Sequence, residues 1–570
     1  MRYLALCTDY DGTLAHHGRV ADSTCAALER LRASGRRIVL VTGRQLDDLR
    51  NVCPKLELFD CVVAENGAVL HRPAAREEKV LAGRPPQRFI DALRERGVEP
   101  LSVGRVIVAT WEPHHTTVLE TIRELGLELQ VIFNKGAVMV LPAGVNKATG
   151  LAAALDALGL SPHNAVGIGD AENDHAFLDL CECAVAVSNA LPLLKERADL
   201  VTQGDHGAGV EELVGRLLKD DLASLEERLT RHHVLLGRDA RGEEVRMSPH
   251  GTNILLVGTS GSGKSTLATG ILERLVESRR TFCIIDPEGD YDTLQGAVTL
   301  GTAERPPGID EMGQLLAKPG ASCVLNLVAL PITDRPAFFE ALLPRLQELR
   351  ARTGRPHWLV IDEAHHLLPA ARRNGGSSLP ERLENVLQIT VHPNLIAASA
   401  LAQVDTVIAV GMTPEAMMRE FCETLGECPP ALEPVRLEAG EALVWLRRRG
   451  RAPFRLVIEP SRTERRRHTR KYAEGELGPD RSFYFRGPEG RLNLRAQNLL
   501  LFLQLAEGVD DDTWLHHLRG RDYSRWIRDC IKDRPLAEEV AEIENRADTS
   551  PQESRRLIRR AIESRYTLPA

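Results

Sequence analysis

Apolar and polar positions alternate in two separate rhythms along this chain. Over the first 220 residues, short apolar runs at 3–7, 37–41, 61–64, 165–168 and 184–187 are separated by amphipathic segments such as 23–34 and 147–158. Runs of that length between helix-period stretches predict a parallel sheet wrapped by helices. Residues 74–143 break the rhythm with a helix, a strand, a helix and two strands, and read as a cap inserted into the sheet domain. A charged helical segment at 220–231 then leads into a second block over 230–460. Its apolar runs lie at 253–257, 282–285, 323–327, 358–361 and 406–410. The fold class predicted is α/β, with two Rossmann-like or P-loop parallel-sheet domains. The first carries a small α+β cap, and a mainly helical domain follows at 475–570. Residues 372–378 contain Asn-Gly-Gly-Ser-Ser and predict a loop.

Composition sets the outer limits. A chain of 570 residues exceeds one ordinary core. With 43% apolar and 27% charged residues it is an ordinary globular composition, not a disordered one. The net charge of −8 excludes a polycation, so any nucleic-acid surface must be local. One such place exists: residues 447–471 hold eleven Lys/Arg against two Glu. No apolar run reaches membrane-spanning length, and an acidic pair interrupts the start where a signal peptide would stay apolar. The eleven cysteines lack zinc spacing and predict reduced thiols in a cytoplasmic protein without membrane contact.

Chemistry concentrates at the ends of predicted strands. The first strand ends in Thr8-Asp9-Tyr10-Asp11-Gly12-Thr13, the second in Val41-Thr42-Gly43-Arg44, and a later one in Gly169-Asp170-Ala171-Glu172-Asn173-Asp174. Lys147 opens a helix after Asn146. Carboxylates two apart at a strand end face one side, and open parallel sheets take ligands at that edge. Two carboxylates, a hydroxyl, a cation and a second acidic cluster suit phosphoryl transfer. One carboxylate serves as nucleophile, its neighbour as general acid/base, and Mg²⁺ on oxygen ligands offsets the charge.

The set DYDGTL, VTGR, NKATGL and GDAENDHAF resembles the haloacid dehalogenase (HAD) superfamily of phosphatases, over residues 1–220. Glu65-Asn66-Gly67-Ala68 and the position of the insert resemble its Cof-type, type-IIB subgroup. The resemblance implies that Asp9 becomes a phosphoaspartate, Asp11 is the acid/base, and Thr42 and Lys147 bind phosphate. It implies that Asp9, Asp11 (through its carbonyl), Asp170 and Asp174 surround Mg²⁺. It further implies a small, sugar-type phosphate ester as substrate. The cap residues Arg105, His114 and His115 are further candidates for reaching it.

In the second block, Gly258-Thr259-Ser260-Gly261-Ser262-Gly263-Lys264-Ser265 follows a strand and opens a helix. This is a P-loop. Its amides cradle phosphates, Lys264 reaches the β/γ-phosphates, and Ser265, followed by Thr266, ligates Mg²⁺. Four apolar residues ending in Asp362-Glu363 supply a second Mg²⁺ ligand and a base for the attacking water. Residues 234–266, IDPEGDY and IDEAHHLLP resemble HerA/FtsK-type ATPases. That implies ATP as ligand, a homo-oligomer up to a hexameric ring, double-stranded DNA as partner, and a neighbour's arginine at each site, with Arg447, Arg448 and Arg449 as candidates. The sequence thus reads as a bifunctional hydrolase, phosphatase fused to ATPase. The alternative is an ATP-driven DNA translocase ring whose phosphatase acts on nucleotides or nucleic-acid ends. In the tail, Trp514, Tyr523 and Trp526 read as core.

Overall fold

The structure is a computed structural model. It describes the chain except residues 260–261, 293, 371–382, 433, 448–449, 462–476, 478–480, 532, 547–548 and 566–570. Gly261, Arg448, Arg449, the 372–378 segment and eight of the eleven basic residues at 447–471 therefore lie outside the described residues. The chain forms two compact units, Met1–Ser461 and Arg462–Ala570.

The first unit opens with β1 (Ala5–Thr8), β2 (Arg37–Val41), β3 (Cys61–Ala64), β4 (Val69–Arg72) and β5 (Glu77–Val80). A four-stranded cap sheet follows: β6 (Ser102–Val103), β7 (Val108–Trp111), β8 (Leu129–Asn134) and β9 (Ala137–Pro142), with helices Gln87–Glu95 and His115–Glu124. The chain returns through β10 (Ala165–Gly169), β11 (Cys183–Ala186) and β12 (Leu200–Val201). The core order is β12-β11-β10-β1-β2-β3-β4-β5. It is parallel from β12 to β3 and antiparallel at β4 and β5. The central strands are buried on both faces, which is why they read as unbroken apolar runs. Residues 77–80 pair with β4, and the hairpin β4–β5 extends the core sheet before the chain enters the cap.

The second block is one eleven-stranded sheet. Its strands are β13 (Val234–Asp239), β14 (Glu244–Met247), β15 (Asn253–Gly258), β16 (Phe282–Asp286), β17 (Val298–Leu300), β18 (Cys323–Asn326), β19 (Trp358–Ile361), β20 (Val386–Thr390), β21 (Thr406–Val410), β22 (Glu441–Leu446) and β23 (Phe454–Ile458). Six central strands, β21-β15-β20-β19-β16-β18, run parallel, and β20 separates the P-loop strand β15 from β19. An antiparallel extension of β22, β23, β13 and β14 lengthens one side.

Within this unit the two sheet domains are joined by a buried ion cluster. Glu182, between the helix His175–Leu180 and β11, accepts both bonds of the Arg280 guanidinium at 2.9 and 3.1 Å. Arg2 (3.0 Å) and His163 (2.7 Å) complete its shell, and His250 lies 3.0 Å away. Arg280 also donates to His250 Nε2, and His163 Nε2 meets the Ser278 carbonyl. Arg355 bonds the Gly159 carbonyl at 2.7 Å, and a Cβ at Gly354 would fall 2.2 Å from the Asn164 side chain.

The second unit pairs two short strands, Phe483–Phe485 and Leu494–Ala496, with helices that include Leu499–Gly508, Asp511–Arg519, Arg534–Glu544 and Pro551–Arg565. Trp514, Tyr523 and Trp526 are buried in its core, and the indole N–H groups reach Ser554 and the Arg481 carbonyl.

Candidate active sites

Asp9 sits one residue past β1, buried beside the end of β10. Lys147 is the first residue of helix Lys147–Leu158, fixed by a capping box between Asn146 and Thr149. Its ammonium bonds Asp9 Oδ1 and Asp174 Oδ1, both at 2.6 Å. The other Asp174 oxygen accepts the amides of Asp170 and Ala171 at 2.8 and 2.9 Å. Asp170 takes Thr13 Oγ1 at 2.9 Å and, from the cap, Lys135 Nζ at 2.5 Å. Gly12 has a positive φ of 87°, and a Cβ there would lie 2.3 Å from Asp170 Oδ2. Only glycine lets the loop approach this closely.

Electrostatics follow from burial. Burial pushes the Asp9 carboxyl well above the ordinary range, Lys147 opposes this, and Asp174 and Asp170 add to it. Burial would lower the Lys147 ammonium, but Asp174 and Asp9 outweigh it and hold the charge on. Asp9, Asp170 and Asp174 place one carboxylate oxygen each within 4.8 Å of one another. Three oxygen donors crowded that closely, with lysine ammonium groups lying on them, fit a hard divalent cation such as Mg²⁺.

The Asp11 carboxylate is outside this triad. It turns to Arg44, which bonds it bidentately at 2.6 and 2.8 Å. Thr42 is buried, its Oγ1 accepting the Arg44 amide. The cap candidates stay away from the cluster. Arg105 pairs with Glu78 at the rim, His114 meets the Glu99 carbonyl, and His115 packs near Phe133. The cap residue that does reach the cluster is Lys135, from the β8–β9 turn, while Arg44 reaches only as far as the Asp11 carboxylate. A lysine before glycine between two strands was the available signal for the first, and the residue after Thr-Gly for the second. Glu65 ties the cap entry down by accepting the amides of Arg105, Val106 and Ile107 at 2.8–2.9 Å.

At the second site Gly258 ends β15, and a Cβ there would meet the Val410 carbonyl at 2.4 Å. Gly263, with φ of 96°, starts the helix Lys264–Glu277. The Lys264 ammonium folds onto the Gly258 and Thr259 carbonyls at 2.8 and 3.0 Å. Ser265 and Thr266 follow in the helix. Asp362 is buried just past β19, and Glu363 holds a left-handed φ of 43°. Asp286, at the end of neighbouring β16, is raised to about 7 by burial and by Asp362. His365 bonds Thr390 at 3.0 Å and lies 3.4 Å from Glu363. The P-loop, the acidic strand end and the end of β20 thus share one edge of the sheet.

His163, Glu182 and His232 also converge. There Arg280 and Arg2 already compensate the carboxylate, so the group is an ion-pair cluster and not a cation site.

Residues 6–104 and 119–214 match the profile of haloacid dehalogenase-like hydrolases, and residues 248–404 match that of an AAA domain. The phosphoglycolate phosphatase of Methanothermobacter thermautotrophicus is 31% identical over 38% of this chain and 98% of its own length. That of Haloarcula marismortui is 33% identical over 37% of this chain and 95% of its own. A crystal structure of a haloacid dehalogenase-like hydrolase from Bacteroides thetaiotaomicron aligns with 38% of this chain and 99% of its own (19% identity, TM-score 0.33). No helix among the described residues is long and apolar enough to cross a membrane. The chain belongs to the haloacid dehalogenase-like hydrolases: it is a phosphatase to which a P-loop ATPase domain of AAA type is joined.

Proposed function

We propose that the first site is a Mg²⁺-dependent phosphomonoesterase working through an aspartyl-phosphate on a small phosphate ester. The observation that carries this is the pair of 2.6 Å bonds from Lys147 to Asp9 and Asp174 at a carboxylate triad. Asp9 Oδ attacks phosphorus, the ester P–O bond breaks, and Asp11, turned from its Arg44 pair and in its acid form, gives its proton to the departing alkoxide. Asp11 then takes a proton from water, whose oxygen attacks the phosphoaspartate. Phosphate leaves and the Asp9 carboxylate is restored. Lys147 and the Thr42 hydroxyl hold the phosphoryl oxygens as charge builds. Asp9, Asp170, Asp174 and the Asp11 carbonyl would hold Mg²⁺, which when bound neutralises charge between nucleophile and substrate. Several relatives carry the name phosphoglycolate phosphatase, so 2-phosphoglycolate is the first ester to test, ahead of sugar phosphates. Mg²⁺-dependent phosphate release from it, lost in Asp9→Asn, supports the reading; release that persists in Asp9→Asn overturns it.

The second site reads as a HerA-like ATPase: Lys264 and the loop amides would bind ATP phosphates, Ser265 and Asp362 would hold Mg²⁺, and Glu363 would activate water. The eleven basic residues at 447–471 favour one further reading, contact with double-stranded DNA by a ring of copies. ATP hydrolysis by the Asp9→Asn protein, stimulated by duplex DNA in a ring-sized particle, supports it; indifference to DNA leaves ATP as a regulator of a metabolic phosphatase. All eleven cysteines are free thiols, which supports a cytoplasmic setting.

A further inference from the structure

Lys135 is the one cap side chain among the described residues that bonds the catalytic carboxylates. It sits at the tip of the β8–β9 hairpin, where Lys135 and Gly136 both hold positive φ, 48° and 86°. Such a turn fixes the strands' register and so where the tip projects. The adjacent cap face is set by that register: Trp111 pairs with Ala137, and Ile132 with Met139. Met139 lies 3.5 Å from where a Cβ on Gly43 would stand, so this face looks onto the catalytic strand ends. Asn134 is on the same face, and its buried Oδ1 accepts no hydrogen bond from the described residues.

The phosphoryl group already has Lys147 and Thr42. Lys135 is a further cation, half-exposed, that enters the cluster from the cap. Beside Lys135 the cap is tied down on the core. Glu65 pins the cap entry, and Ala68, Val106, Ile107, Met139 and Leu141 close a buried cluster beneath the cap. A neutral polyol would leave the Lys135 ammonium with Asp170 as its charged partner, whereas a substrate carboxylate would accept a second charge-assisted bond from its half-exposed ammonium.

Resting on the phosphatase reading above, we infer that Lys135 determines specificity by binding a carboxylate on the short leaving group of the substrate, with Asn134 and Trp111 flanking it.

The experiment compares 2-phosphoglycolate with ethyl phosphate, of the same length without the carboxylate, on the full-length protein with Mg²⁺. In Lys135→Met the ratio of kcat/KM for phosphoglycolate over ethyl phosphate should fall about 10- to 100-fold, the size of a lost charge-assisted bond, and Lys135→Arg should keep most of it. An unchanged ratio overturns the inference. So does an equal fall for both esters, which would put Lys135 on the phosphoryl group or on Asp170. Binding of 2-phosphoglycolate to the Asp9→Asn protein, measured by calorimetry, separates this from the reaction. Binding that Lys135→Met weakens at least about tenfold sustains the role of Lys135 even where no ester is turned over, a result that would sink only the phosphatase reading. Binding that the variant leaves unchanged removes the role whatever the turnover.

Discussion

Arg280, three residues past the helix that begins at the P-loop, grips Glu182 of the phosphatase domain with two hydrogen bonds, and both side chains are buried. Buried ion pairs add little against an apolar substitute, but removing one partner leaves an uncompensated charge. Glu182→Ala strands Arg280 and Arg2 together. It should lower stability by about 3–5 kcal/mol in denaturant unfolding. A loss under about 1 kcal/mol would mean that the domains do not dock through this cluster.

The same cluster sets an acid limit. Burial lowers His250, to about 3, with Arg2 and Arg280 adding to the effect, and burial lowers His163 and His357 as well. Burial would raise Glu182, but Arg280, His163 and His250 outweigh it and hold it well below the usual carboxylate range. For each histidine the unfolded chain binds more protons below the ordinary value of 6.5. Their contribution is therefore complete above that pH and is lost as pH falls towards the folded-state value. The Glu182 contribution falls away next, below 4.5. Urea midpoints should drop on lowering the pH from 7 to 5, and His250→Gln should flatten the slope. A flat profile in the parent protein would show these histidines to be charged when folded.

The two sites use separate residues. Asp9→Asn should abolish phosphate-ester turnover and leave ATP hydrolysis intact, and Lys264→Ala should do the reverse. Equal loss of both activities in Asp9→Asn would sink the two-site account. Loss of phosphatase activity in Lys264→Ala alone would show that the sites are coupled through the domain contact.

Mg²⁺ should raise the thermal midpoint of the parent protein, because it binds only the folded triad. At a concentration of about 100 times Kd the gain is about 2.7 kcal/mol. Asp170→Asn should remove most of that shift, and chelation should reverse it. A shift retained in Asp170→Asn would place the ion elsewhere.

Gly12→Ala tests the close approach of the first loop. The added methyl carbon meets Asp170 Oδ2 and also sits at positive φ. Phosphatase kcat/KM should fall by at least about 100-fold with the ATPase unchanged, since about an ångström of misplacement costs that much. A fall of less than tenfold would show that the loop relaxes.

Much of this was legible in the chain because the chemistry is local. Asp9 and Asp11, Thr42, Lys147, Asp170 and Asp174 each stand at a strand end or helix start that a short apolar run announces, and the P-loop carries its own turn and helix signals. What the sequence hid depends on distant pairing. Lys135 is an ordinary turn lysine until the hairpin register aims it at Asp170. Arg280 and Glu182 are separated by 98 residues, and neither has a local pattern. The sequence predicts the Asp9 and Asp11 carboxylates on one side, yet that of Asp11 turns to Arg44, because alternation along a strand does not survive the turn at Gly12. The antiparallel strands β13, β14, β22 and β23 lack the unbroken apolar runs of the parallel ones, since charged side chains such as Arg238 and Arg455 interrupt some of them.

The contact between Gly354 and Asn164 bears on how such a chain can be inherited. A Cβ at position 354 would overlap the Asn164 amide, and the buried Arg355 guanidinium bridges the Lys318 carbonyl of its own domain and the Gly159 carbonyl of the other. Each half has therefore been shaped to its companion's surface. A phosphatase taken from a free-standing relative would meet Gly354 and Arg355 with a surface not fitted to them, so a change on one side of this seam constrains the other catalyst.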